Sequence, residues 1–270
     1  MRPILLSRLT ALFGPILLLA GCSQVPLTGR QQLNLVPDSL IHDLSFDSYD
    51  EFLKEHKLST NTQQTQMVKR VGLRIQNAVE RYCLENYISD QLNGYQWEFS
   101  LVEDANVNAW AMPGGKVVVY TGLLPVTKTE AGLATVLGHE IAHAFAKHGA
   151  ERMTTGLLYD LGGMALSEAL ANRPDRTKDL FMLSYGIGAQ VGVLMPYSRL
   201  QESEADRLGL IFMAMAGYHP SEALAFWERM AALQEKPQTP ELLSTHPSNS
   251  TRIRKITELM PEAVRYYRPQ

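Results

Sequence analysis

Cysteine is nearly absent: Cys22 and Cys83 are the only two in 270 residues. That excludes a disulfide-stapled scaffold, and Cys83, inside a helix-patterned stretch, reads as a buried small hydrophobe. Basic clusters are missing too, and no aromatics are interleaved with basic residues, so nothing points to nucleic acid. No repeat period is present, and no set of long uncharged runs that a multi-span membrane protein would need. Charges at Asp160, Glu168, Arg173, Asp175, Arg176, Lys178 and Asp179 interrupt residues 153–180. The later uncharged run, Leu180 to Pro196, is marginal in length for a span. Gly186, Gly188 and Gly192 within it argue instead for a helix packed closely on others.

What is present is enough apolar matter, 45% of the chain, for one good core. The first 21 residues stand apart: Arg2 and Arg8, then an apolar run ending at Ala20-Gly21-Cys22, the layout of a signal peptide. Leu19-Ala20-Gly21-Cys22 resembles a bacterial lipobox. That resemblance implies cleavage before Cys22 and lipidation of its thiol, with Ser23 implying sorting to the outer membrane. The expectation is a protein lipid-anchored to the outer membrane and facing the periplasm, held by lipid rather than by a polybasic patch. Removing residues 1–21 takes away two Arg and no acid, which carries the net charge from −3 to −5. Residues 22–37, polar and marked by Pro26, Gly29 and Pro37, read as a tether. Residues 38–270 then form a single domain.

Within that domain, Asp38 to about His56 is expected to be helical. Residues 62–86 form a stronger helix, with Met67, Val71, Ile75, Ala78, Val79 and Tyr82 at spacings of three and four. The period then changes. Tyr95 to Leu101 alternates apolar and polar, Val107 to Met112 reads extended, Pro113-Gly114-Gly115 is a turn, and Val117 to Tyr120 is a strand. The expected fold is α+β: mainly helices, with a small antiparallel sheet beside a central helix. Asn108 and Ala109 are candidates for a sheet edge on which an extended peptide would pair by backbone hydrogen bonds.

The central helix carries the chemistry. His139-Glu140-x-x-His143 lies in an apolar helical run from about Thr129 to Gly149, with Thr127 and Glu130 as a candidate capping box. Residues four apart share a helix face, so His139 and His143 present two imidazoles to one metal ion, and Glu140 is placed to act on a water. Zinc with two His wants a third protein ligand and an open position for water. In Glu202-Ser203-Glu204-Ala205-Asp206, Glu202 and Asp206 are a turn apart, whereas Glu204 points roughly 200° round from Glu202. Glu202 therefore fits as the ligand, with Asp206 holding the second nitrogen of a ligand histidine. His148, about 140° round the helix from His143, reads as an outer or exposed residue rather than a ligand.

Taken together, the H-E-x-x-H, the Glu202-x-x-x-Asp206 some sixty residues later, Asn108-Ala109-x-Ala111-x-Pro113-Gly114-Gly115 and Thr245-His246-Pro247 resemble family forty-eight of the metallopeptidases. These are gluzincins related to the CAAX prenyl protease and to Oma-type quality-control proteases. The resemblance covers about residues 65–258 and implies one zinc ion per chain on His139, His143 and Glu202, with Glu140 as general base. It implies hydrolysis of peptide bonds in protein substrates, with misfolded or misassembled envelope proteins as the class. It also places His246 near the cleft, either as a donor to the tetrahedral oxyanion or as an occupant of the open metal position in a latent form. A helical-repeat domain found in some relatives is not expected within these residues, which show no repeat period. The competing expectation is a chaperone-like assembly factor that keeps fold and metal. Such a binder has no need of Glu140.

Overall fold

Strand β5 (Lys116–Tyr120) is wholly buried and divides the molecule into two apolar cores. It is the middle of a three-stranded sheet, between β3 (Glu98–Val102) and β4 (Ala109–Met112). Successive side chains of a strand point to opposite faces, and the cores follow that rule. Val117 and Val119 join Phe99, Leu101, Ala109 and Ala111 in one core, while Val118 and Tyr120 join Val102, Trp110 and Met112 in the other. The first core is closed by helices α2 (Thr62–Glu85), α3 (Glu130–Phe145), α6 (Arg199–Met215), α7 (Glu222–Gln234) and α8 (Ser250–Arg265). The second is closed by α1 (Asp38–Glu55), α4 (His148–Leu161) and α5 (Pro174–Tyr185).

These positions come from a computed structural model that describes residues 22–161, 174–185, 198–234, 240–246 and 250–269. The leader read at residues 1–21, most of the run from Leu180 to Pro196, and Pro247 lie outside the described residues. Among the described residues, no helix is long and apolar enough to cross a membrane.

The fold is the expected α+β arrangement, mainly helical with a small sheet, but the sheet is mixed rather than antiparallel. β4 runs antiparallel to β5, with Trp110 opposite Val118, whereas β3 runs parallel to it, with Phe99 opposite Val117. The chain goes along β3, returns along β4, and inserts β5 between them. Apolar alternation marks a strand without marking its direction, so sequence periodicity does not distinguish the two pairings.

Residues 22–37 also depart from expectation. In place of a tether there is a hairpin of β1 (Cys22–Gln24) and β2 (Gln31–Leu33) packed on the body, with Val25 and Val36 buried. Pro26 and Gly29, two of the residues that suggested a linker, serve a turn here, where Gly29 takes a left-handed φ of 68°, and Pro37 is the N-cap residue of α1. Cys22 begins β1, its backbone opposite Leu33.

Candidate metal centre

Helix α3 is buried along nearly its whole length, Gly132 to Phe145, which is the signature of a helix packed on all sides. Its N-cap is Thr129, whose side chain accepts from the Gly132 N–H. Thr127, expected in that role, is buried and donates to the Leu124 carbonyl instead. Helix α6 starts with a full capping box between Ser198 and Gln201 and crosses α3 where two glycines meet. A Cβ on Gly138 would stand 2.8 Å from the Gly209 carbonyl oxygen, and one on Gly209 would stand 2.8 Å from the His139 nitrogen. No other residue permits this approach, which brings Glu202 on α6 up to the histidines of α3.

At the crossing, His139 Nε2 lies 3.1 Å from His143 Nε2 and 3.2 Å from His246 Nδ1. Glu202 Oε1 is 3.3 Å from His143 Nε2 and 2.8 Å from His246 Nδ1, and Glu202 Oε2 is 3.6 Å from His139 Nε2. One ligand atom from each of these four buried residues falls within 4.8 Å of all the others. His246 arrives from the short helix Glu241–Thr245, which the Leu242 N–H ties to the Val107 carbonyl at 3.2 Å. Glu140 Oε1 is buried without a hydrogen-bond partner, 3.5 Å from His246 Nε2.

The far nitrogens of the two α3 histidines are held separately. Asp206 Oδ1 lies 3.0 Å from His139 Nδ1. It is itself gripped by Arg252, whose Nη2 donates to Oδ1 at 2.7 Å and whose Nε donates to Oδ2 at 2.9 Å. Arg252 lies over the Trp227 ring, 3.4 Å from its centre, and its Nη1 is 3.0 Å from Glu202 Oε2. On the other side, His148 Nδ1 lies 2.8 Å from His143 Nδ1, and His148 Nε2 lies 2.9 Å from Glu204 Oε2. His148 is fully buried. The 140° projection does not apply to it, because α3 ends at Phe145 and Lys147 takes a φ of 56°, which turns His148 back onto His143.

This donor set fits a cation. With Nδ1 of His139 engaged by a carboxylate and Nδ1 of His143 by His148, two Nε2 lone pairs converge with the Glu202 carboxylate, whose Oε2 also faces Arg252 Nη1 at 3.0 Å. Ligand atoms on a tetrahedral zinc with bonds of ~2.0–2.1 Å stand about 3.3 Å apart, the separation seen here. Burial would raise the Glu202 carboxyl, but His246 and Arg252 beside it hold it well below the usual range. Burial lowers His143 well below the usual histidine value and raises Glu140 despite His246 and His139 nearby. Asp206 stays low against burial because of Arg252 and His139.

Asn108 and Ala109, both buried, lie at the start of β4 on the outer edge of the sheet, where the Asn108 carbonyl accepts from the Tyr120 N–H. Sequence reasoning missed the roles of Arg252 and Glu204; of its two readings of His148, outer or exposed, the structure gives the first, since the ring is buried against His143 Nδ1. The nearest signal for Arg252 was its place in the apolar pattern of α8, which gives no hint that its guanidinium turns inward.

The profile of peptidase family M48 matches residues 73–260. The chain is 35% identical over 245 residues to the mitochondrial metalloendopeptidase OMA1 of Schizosaccharomyces pombe, covering 88% of this chain and 66% of that protein. It is 31% identical over 246 residues to human mitochondrial metalloendopeptidase OMA1, covering 89% of this chain and 46% of the relative. It is also 31% identical over 162 residues to the putative beta-barrel assembly-enhancing protease of Vibrio cholerae, covering 57% and 33%. The chain thus spans about two thirds or less of each of these relatives. The mitochondrial proteins among them overturn the expectation of an outer-membrane, periplasm-facing location. An arginine-bearing, acid-free N-terminus is common to export leaders and mitochondrial presequences, so that segment alone does not separate the two.

Proposed function

The chain belongs to peptidase family M48, and on that premise we propose that it is a zinc-dependent endopeptidase that hydrolyses peptide bonds in protein substrates. One observation carries the reading: His139, His143 and Glu202 converge in a buried cluster beside an unpartnered Glu140 oxygen. His139, His143 and Glu202 would hold the zinc. When bound, the ion supplies a Lewis acid and a water whose pKa falls to ~7. Glu140 takes the proton of the attacking water and passes it to the leaving amine. Asp206 and His148 keep the Nδ1 atoms of His139 and His143 engaged, so each Nε2 lone pair faces inward. On the outer edge of β4, Ala109 offers its backbone groups to an extended substrate, while the Asn108 carbonyl before it is held by the Tyr120 N–H of β5.

His246 has two candidate roles, oxyanion donor and fourth ligand of a latent form. Its Nδ1, grouped with the other three ligand atoms, supports the second. Replacing His246 with Ala should then raise activity, whereas a fall assigns it to the oxyanion. The substrate class of misfolded or misassembled envelope proteins draws support only from the name of the beta-barrel assembly-enhancing relative. The test is casein cleavage by the purified chain with and without a chelator, beside Glu140→Gln. Cleavage that both changes abolish supports the endopeptidase; no cleavage by either the zinc-loaded wild type or zinc-loaded His246→Ala favours a binding protein.

A further inference from the structure

The hairpin read as a tether reaches the metal centre. In its turn, Thr28 Oγ1 donates to Glu204 Oε1, and Arg30 Nε donates to Glu204 Oε2 at 2.7 Å. The other end of the same guanidinium grips Glu151 on α4, Nη1 to Oε1 at 2.8 Å and Nη2 to Oε2 at 2.9 Å. Gln201 of the α6 capping box donates to the same Glu151 at 2.8 Å. Arg30 therefore bridges α4 and α6 at the point where His148 and Glu204 leave them. Glu204 is surrounded by donors on three sides, from Thr28, Arg30 and His148, and can only accept.

That fixes a direction along the row. Glu204 accepts from His148 Nε2–H, which leaves His148 Nδ1 as an acceptor. His148 Nδ1 then accepts from His143 Nδ1–H, and the His143 lone pair is left on Nε2, toward His139 and Glu202. We propose that Arg30, in the β1–β2 turn, is a positioning residue of the metal centre, setting the tautomer and ring orientation of His143 through Glu204 and His148. The proposal rests on the reading of His143 as a zinc ligand. It makes the N-terminal hairpin part of the centre rather than a spacer.

The test measures zinc affinity by competition with a chromophoric chelator, and the visible spectrum of the cobalt-substituted chain, for wild type, Arg30→Met, Arg30→Lys, Glu204→Gln and the Arg30→Met/Glu204→Gln pair. Lys178→Met, which removes a surface ion pair with Glu51, is the matched control. Loss of an outer partner of a ligand histidine typically weakens metal binding about 10–100-fold. Glu204 and Arg30 stand one and two steps beyond that partner, so Glu204→Gln and Arg30→Met should each weaken zinc binding by up to that factor, Glu204→Gln the more, and alter the cobalt spectrum. The double variant should be no weaker than Glu204→Gln alone, because both act on one row. Arg30→Lys, which cannot fork to Glu204 and Glu151 together, should recover only part.

Melting of the metal-free variants separates folding from positioning. A lower melting temperature with unchanged affinity and spectrum makes the hairpin a structural clasp and overturns the proposal. So do additive losses in the double variant. A wild-type chain that takes up neither zinc nor cobalt overturns the metalloenzyme reading beneath it.

Discussion

At the residue scale the centre is a set of acceptors aimed at one point. Glu140 contributes no hydrogen bond from its inward oxygen, and burial raises its carboxyl toward the range where a general base works at neutral pH. Glu140→Gln keeps shape and size, so the zinc content measured on the purified chain should stay at the wild-type level. Its kcat/KM on a peptide substrate should fall about 10²–10⁴-fold, the usual worth of a positioned base. Arg252 has the opposite character: a cation, buried between Asp206 and Glu202. Removing one partner of a buried ion pair costs about 3–5 kcal/mol, because the other charge is left uncompensated. Denaturant unfolding of metal-free Arg252→Met should show a loss of that size, and Arg252→Lys should recover only part of it, since lysine lacks the fork that holds both Asp206 oxygens. An unchanged midpoint in Arg252→Met would show that the pair is not what steadies Asp206. The histidines and Glu140 were legible because a four-residue spacing on a helix is local. Arg252, 46 residues from Asp206, was not, since nothing in a local pattern says that one arginine of α8 points inward.

At the element scale the decisive contact is α3 against α6. Glycine at both crossing positions lets the backbones touch, and a methyl group at either would strike main-chain atoms rather than a movable side chain. Overpacking of this kind costs roughly 1–3 kcal/mol. Here the relief available is to part the helices, which carries Glu202 away from His139 and His143. Gly138→Ala should therefore lower both the melting temperature and the zinc affinity, whereas Ser198→Ala, which removes only the α6 cap, should cost about 1 kcal/mol and leave affinity near wild type. Equal affinity losses in the two variants would mean that the crossing distance does not set the centre. Helices α1 and α2 were readable because each buries a local apolar stripe, and α3 because it is apolar nearly throughout. The direction of β3 was not, and neither was the turn at Lys147, because strand direction and a helix break are decided by what packs around them. An angle projected from His143 along an unbroken helix fails at that break.

For the whole molecule, the N-terminal hairpin and the body are joined through Glu204, whose partner Arg30 lies 174 residues away. A sequence reading sees polar residues with Gly and Pro and expects a linker; the folded chain turns them into a clasp only because a carboxylate on a distant helix awaits them. Burial alone would raise the Glu204 carboxyl, but hydrogen bonds from His148, Thr28 and Arg30 hold it down at about 2, below its ordinary 4.5. As pH falls, the unfolded chain takes up that proton before the folded one does. The contribution of Glu204 is therefore complete above about pH 4.5 and is lost as the pH drops toward 2. The unfolding free energy of the metal-free chain, followed by denaturant titration at a series of pH values, should rise with pH through this window. In Glu204→Gln the part of the slope owed to this group should vanish. Arg30→Met should flatten it partially, because His148 and Thr28 still donate. If wild type and Glu204→Gln trace parallel curves between pH 2 and 4.5, Glu204 is not held ionised by the hairpin, and the clasp does not join the N-terminus to the core through that carboxylate.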